Sequence, residues 1–146
     1  MMVEKDVIQA KVATIRRCLM RIREKTELCP EKLIDLDVQD IFVLNLQRAI
    51  QACIDTAAHM ISGNGWGLPS SLKDHFDILA RHNVLEQELA NQLKKMTGFH
   101  NIAVHDYQAL ELVVLQRILQ NHLVNIEDFY EAILRCTESD GEAGKY

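Results

Sequence analysis

Hydrophobic positions in this chain recur at steps of three and four, the period of helices that pack side by side. Ile8, Val12, Ile15, Leu19 and Ile22 alternate these steps, so a first helix is expected from about Val3 to Lys25. Cys29-Pro30 and the residues after it form a connection. Asp37, with Asp40 three residues on, reads as the N-cap of a second helix. That helix carries Ile41, Leu44, Ala49, Cys53, Ile54 and Ala58 inward and ends near Ile61, with Gly63 as its stop. The run Gly63-Asn64-Gly65-Trp66-Gly67-Leu68-Pro69 is the clearest loop. Ser70 or Ser71 caps a short third helix with Leu72, Phe76, Leu79 and Ala80 inward and Asn83 near its end. A fourth helix starts near Glu86 and carries Leu89 and Leu93 onward. A fifth runs from about Gln108 to Leu134 on the seam Leu112, Leu115, Leu119, Leu123, Ile126, Tyr130 and Ile133. No sustained period-two alternation signals a strand. The expected fold is an all-α, up-and-down bundle of about five helices over residues 1–136, with a flexible polar tail at 137–146.

Composition narrows the function without naming it. A chain of 146 residues suits one domain with a real core, and 48% hydrophobic against 25% charged residues is ordinary for a globular protein. The net charge of −5 argues against a general nucleic-acid coat, because neutralising a backbone needs clustered Lys and Arg. It leaves room for RNA chemistry at a locally basic cleft. No signal peptide or membrane-length apolar run stands out, so a cytoplasmic location is expected. Cys18, Cys29, Cys53 and Cys136 lack metal or redox spacing and read as ordinary thiols, Cys18 and Cys53 packed within helices. Arg16, Arg17, Arg21 and Arg23 lie on the outer side of the first helix; they are an RNA or partner surface or, more simply, a solvated face. The glycine-rich loop is not a phosphate cradle, since no strand precedes it and no Gly-Lys-Ser/Thr follows. Its Trp66 could stack on a base, but a lone loop tryptophan more often caps a core. His59, His75, His82 and His122 show no paired ligand spacing, and neither a metal nor a cofactor is expected.

The chemistry concentrates in Gly98-Phe99-His100-Asn101-Ile102-Ala103-Val104-His105-Asp106-Tyr107. On a helix, Lys94, Gly98, Asn101 and His105 share one stripe, while Met96, Phe99, Ile102 and Ala103 form the core side. A polar stripe is often only a solvated face, but Asn and His are mediocre helix formers and useful chemical groups. His100 and His105 are five residues apart, so they diverge by roughly 140° and lie about 7.5 Å apart along the axis. A single straight helix cannot close both on one substrate atom. Two copies facing across a two-fold axis could, which suggests a dimer cleft.

Phe-His-Asn-Ile-Ala-Val-His-Asp-Tyr resembles the signature of the HepT-like toxins, a branch of the HEPN ribonuclease superfamily. Their pattern, Arg-Asn-x-x-Val-His-x-Tyr, is matched at Asn101, Val104, His105 and Tyr107. Asn45-Leu46-Gln47-Arg48-Ala49 and Leu93-Lys94-Lys95-Met96 also look like the family, so the resemblance covers roughly residues 3 to 135. The arginine position departs from the pattern and is held by His100. The resemblance implies a metal-independent endoribonuclease toxin, cutting RNA in a cleft to which two protomers contribute. It implies catalytic roles for His105, Asn101 and the residue at position 100, with Lys94 and Lys95 as candidate RNA contacts. It further implies a nucleotidyltransferase antitoxin that transfers AMP to Tyr107. An imidazole suits proton transfer near neutral pH, and Asn101, one turn back, can orient it or donate to a phosphate oxygen. His100 cannot reproduce the planar, always-charged fork of an arginine, so reduced activity is expected. The alternative is a catalytically inactive helical module that binds a nucleotidyltransferase partner.

Overall fold

The computed structural model describes residues 4–143, with side chains through 138. Among the described residues there are six α-helices and no strand: α1 (Lys5–Thr26), α2 (Leu36–Asn64), α3 (Leu72–Arg81), α4 (Gln87–His105), α5 (Leu112–Asn121) and α6 (Leu123–Ala143). Short 3-10 turns at Pro30–Ile34 and Tyr107–Ala109 join α1 to α2 and α4 to α5. The all-α bundle is therefore as expected. No helix of the described residues is long and apolar enough to cross a membrane.

α1 and α2 form an extensive antiparallel hairpin, and the α1 seam of Ile8, Val12, Ile15, Leu19 and Ile22 is buried throughout. Expected start and stop residues shift slightly. Val3, the expected start of α1, lies outside the described residues. Asp35, rather than Asp37, caps α2, its carboxylate accepting from the Asp37 and Val38 amides at 2.8 and 3.2 Å. Gly63 stays helical; the stop is Gly65, whose φ of 68° is the left-handed conformation that glycine adopts without steric cost. Ser71 caps α3 by accepting from the Asp74 amide.

The core is closed by fully buried Phe42, Phe76 and Phe129, with Phe76 of α3 meeting Phe129 of α6 edge to face at 6.0 Å. Trp66 stacks on His82 at 4.1 Å and packs against the core, which is the capping role rather than a base platform. Cys18 and Cys53 are buried, and burial raises both thiols, Cys53 far more than Cys18, where Arg48 and Arg17 oppose the shift. Arg16 lies over the Tyr130 ring at 4.9 Å and Arg23 pairs with Glu127, so two of the four arginines of α1 tie it to α6.

The expected fifth helix is divided. Its 3.5-residue seam continues through the division, but the chain breaks at His122, whose amide still bonds Ile118 O and whose ring meets the Asn125 side chain at 3.2 Å. This turns α5 onto the Pro30–Ile34 segment, where Gln116 Nε2 donates to Pro30 O at 3.0 Å. Neither glycine nor proline marks the break, so hydrophobic periodicity passes over it. The tail expected from Thr137 is instead helical to Ala143, and Thr137 is buried with its hydroxyl donating to Ile133 O. Residues 144–146 lie outside the described residues.

Candidate functional site

α4 is held by its apolar stripe. Leu93, Met96, Phe99 and Ala103 are buried, as their spacing requires, whereas Ile102, expected with them, is 43% exposed. The correction follows from α4 lying at the edge of the bundle, where neighbours cover only part of its circumference. Leu44 on α2 is likewise half-exposed rather than in the core. The stripe of Asn101 and His105 faces outward and is exposed. The helix ends at His105, the Asp106 amide bonds Ile102 O at 2.8 Å, and the 3-10 turn that follows carries Tyr107.

His100 sits on the inner side. It is 8% exposed, its Nδ1 has no hydrogen-bond partner, and its environment includes the Asn101 side chain and the Asp55 carboxylate of α2. Burial lowers its pKa below the ordinary histidine value, and nearby His105 adds to this; Asn101 and Asp55 oppose it. The net direction favours a neutral ring at neutral pH. The two motif histidines thus occupy different environments, one buried and one in solvent, in keeping with their divergent spacing.

Tyr107 is joined to a residue 67 positions earlier in the chain: its hydroxyl donates to the Asp40 carboxylate near the start of α2. Partial burial, then that bond and the charge on Asp40, push the phenol up to about 12. Asp40 and Asp55 were absent from the sequence-derived site, since Asp40 reads locally as a helix-start residue and Asp55 as one more polar position on α2. Only packing brings either to the motif.

The candidate lysines line one pocket with Lys73 and Glu88 but have different further neighbours. Lys94 Nζ bonds the Asp77 carboxylate of α3 at 3.1 Å, and it stands about 16 Å along the axis from His105. Lys95 instead borders an apolar groove of about 450 Å³ between α4 and α5, lined by Met96, Phe99, Ile102, Leu110 and Val114. Among the described residues no group of three or more His, Cys, Asp or Glu side chains could hold a metal ion.

An all-α bundle with Asn-x-x-Val-His at the end of one helix and a tyrosine two residues on, in the turn that follows, is the arrangement of the HEPN class of ribonuclease folds. Residues 15–133 match the family model for Ribonuclease HepT-like proteins, and the chain belongs to that family. It is similar to the mRNA nuclease HepT of Shewanella oneidensis, 43% identical over 128 residues that cover 88% of this chain and 96% of the relative. A solved structure of a tri-AMPylated Shewanella oneidensis HEPN toxin in complex with an MNT antitoxin superposes with a TM-score of 0.84 at 41% identity, covering 90% of this chain and 99% of that one. The cytosolic protein YutE of Bacillus subtilis shares the fold, with a TM-score of 0.83 at 21% identity over 94% of this chain and 93% of that one.

Proposed function

We propose that this chain is the toxin of a toxin-antitoxin pair: an endoribonuclease that cuts RNA without a metal in a cleft between two protomers, and that a nucleotidyltransferase silences by placing AMP on Tyr107. The observation that carries the reading is the exposed set Asn101, His105 and Tyr107, gathered at the end of one helix with His100 behind it. The reaction needs no more than proton transfer and charge stabilisation. A base takes the proton of an RNA 2′-hydroxyl, and the 2′-oxygen attacks the adjacent phosphorus. The bond to the 5′-oxygen breaks and an acid protonates the leaving oxygen, giving a 2′,3′-cyclic phosphate. His105 supplies the proton transfers, and Asn101 on the same stripe donates to a phosphate oxygen or orients the ring. Tyr107 is not the base, because its phenol holds its proton far above neutral pH.

The homodimer follows from the same helix. Ile102 and Val104 are exposed beside Asn101 and His105, giving α4 an outer face that is part apolar and suited to a second copy. Sedimentation at micromolar concentration should give a dimer; a monomer with intact helicity would overturn the shared cleft. The expected location is the cytoplasm, with RNA and the antitoxin.

The reading is tested by RNA cleavage in the presence of a chelator. The chain should cut slowly, and His105→Ala should abolish cutting while leaving the melting temperature in place. Equal cleavage by both proteins would remove His105 from the mechanism. Burial of a neutral His100 favours a second reading, an inactive module held by the nucleotidyltransferase. Absence of cleavage by the chain on diverse RNAs, together with stable association with that partner, would select it.

A further inference from the structure

An acidic chain can hold RNA only where cations gather locally, and the lysine cluster of Lys94 and Lys95 with Lys73 of α3 shares its pocket with Glu88 and stands about 15 Å or more back along α4 from His105. Lys94 is paired with Asp77 and Lys95 flanks an apolar groove. Three guanidinium groups converge instead in a groove of about 620 Å³ between α1 and α2, where Arg17 and Arg21 of α1 face Arg48 of α2 and Glu24 is the one carboxylate. Arg17 and Arg48 are both close enough to the Cys18 thiol to act on it electrostatically, which places their charges over the same floor. Neither has a carboxylate partner among the described residues; Arg17 makes only a 3.5 Å contact with the Thr14 hydroxyl. Arg21 reaches Glu24 at 3.7 Å, an exposed pair of little strength. The other two arginines of α1 are spent on α6.

The groove also leads to the motif. Asp40, Leu44 and Arg48 follow one another at four-residue steps on a single stripe of α2. Asp40, which accepts the Tyr107 hydroxyl, directly precedes Ile41, the first α2 residue to line the groove, and Arg48 lies about 12 Å along the helix from Asp40. Met20 and Leu44 are exposed at 58% and 45% and supply apolar surface between the charges.

We propose that the α1–α2 groove holds the sugar-phosphate backbone of the single-stranded RNA cut at His105, with Arg17 and Arg48 as its main phosphate ligands. The inference rests on the ribonuclease reading and adds to it the path of the substrate. Charge decides the occupant: unpaired guanidinium groups match phosphates bidentately, and this concentration of positive charge stands on a chain of net charge −5. The cation missing from the motif is thus replaced, for binding, by cations from a different helix pair.

The test is binding of a short fluorescein-labelled single-stranded RNA, followed by anisotropy from low to high salt. The proteins are the full chain, Arg17→Gln/Arg48→Gln, and a charge-matched control, Arg117→Gln/Arg135→Gln, at exposed positions of α5 and α6. Loss of two phosphate contacts should flatten the slope of log K against log salt by about 1.4 and weaken binding about a hundredfold at 50 mM salt. The control should bind as the full chain does, and thermal melts should show all three folded. An unchanged slope, or an equal loss in the control, overturns the proposal. So does a double variant that keeps RNA binding but loses the nucleotidyltransferase, which would make the groove a protein-docking surface. His105→Ala separates this from the parent reading: it should bind RNA normally and cut none. If the full chain binds no RNA at any salt, the ribonuclease reading falls and the groove assignment falls with it.

Discussion

Replacing His100 by arginine should raise metal-free RNA cleavage about a hundred- to a thousand-fold, the usual effect of one preorganised charge donor at a transition state. Neutral His100 offers no cation to the charge that builds on phosphorus, because burial holds its pKa down. An arginine at the same position stays charged, and the site already has the means to keep it there. Asp55 lies close enough to act on the residue at position 100, and Gln51 Nε2 orients its carboxylate at 2.9 Å. The pair would offset the desolvation of the guanidinium while leaving one edge of its planar fork for phosphate. The measurement is single-turnover cleavage in chelator by the chain, His100→Arg, and His100→Arg with His105→Ala. The last should return to background. If His100→Arg is no faster than the chain, the imidazole is itself a competent replacement and the argument from charge is wrong. An increase that survives His105→Ala would show that the proton transfers occur elsewhere.

With a nucleotidyltransferase partner, ATP and magnesium, the chain should gain mass in multiples of AMP, and Tyr107→Phe should gain none. In the transfer, the phenol oxygen bonds to the α-phosphorus of ATP, pyrophosphate departs, and the phenol proton must be accepted. A phenol pushed up to about 12 does not shed that proton unaided near neutral pH. The Asp40 carboxylate already accepts a hydrogen bond from it and holds its oxygen at a fixed place near the start of α2. Each added AMP brings a negative charge and a nucleoside to the site beside His105, so repulsion and occlusion act together against RNA. RNA cleavage should therefore fall in proportion to the modified fraction. Asp40→Asn should move the Tyr107 titration part of the way back toward the ordinary phenol value, read as tyrosinate absorbance against Tyr107→Phe, because the carboxylate charge that helps raise it is lost. Mass gain that persists in Tyr107→Phe would put the acceptor elsewhere.

The hydrophobic pattern alone determined much of this protein. The α1 seam, a serine cap on α3 at position 70 or 71, the core-capping Trp66, the all-helical class and the chemical character of α4 all follow from local spacing, because a helix face is defined within a few turns of chain. Spacing also separated His100 from His105, since a five-residue step diverges on any straight helix. Tertiary packing decided the rest. The break at His122, which no glycine or proline marks, follows the docking of α5 on Pro30–Ile34. Ile102 and Leu44 are exposed because coverage of a helix at the edge depends on its neighbours rather than on its own period. The fate of the charged groups was the least local of all. Lys94 met Asp77, Tyr107 met Asp40, His100 met Asp55, and Arg17 met Arg48 across a groove. A sequence states which faces are apolar, but which charges then come together is set by how distant helices pack, and that is where the chemistry of this site is decided.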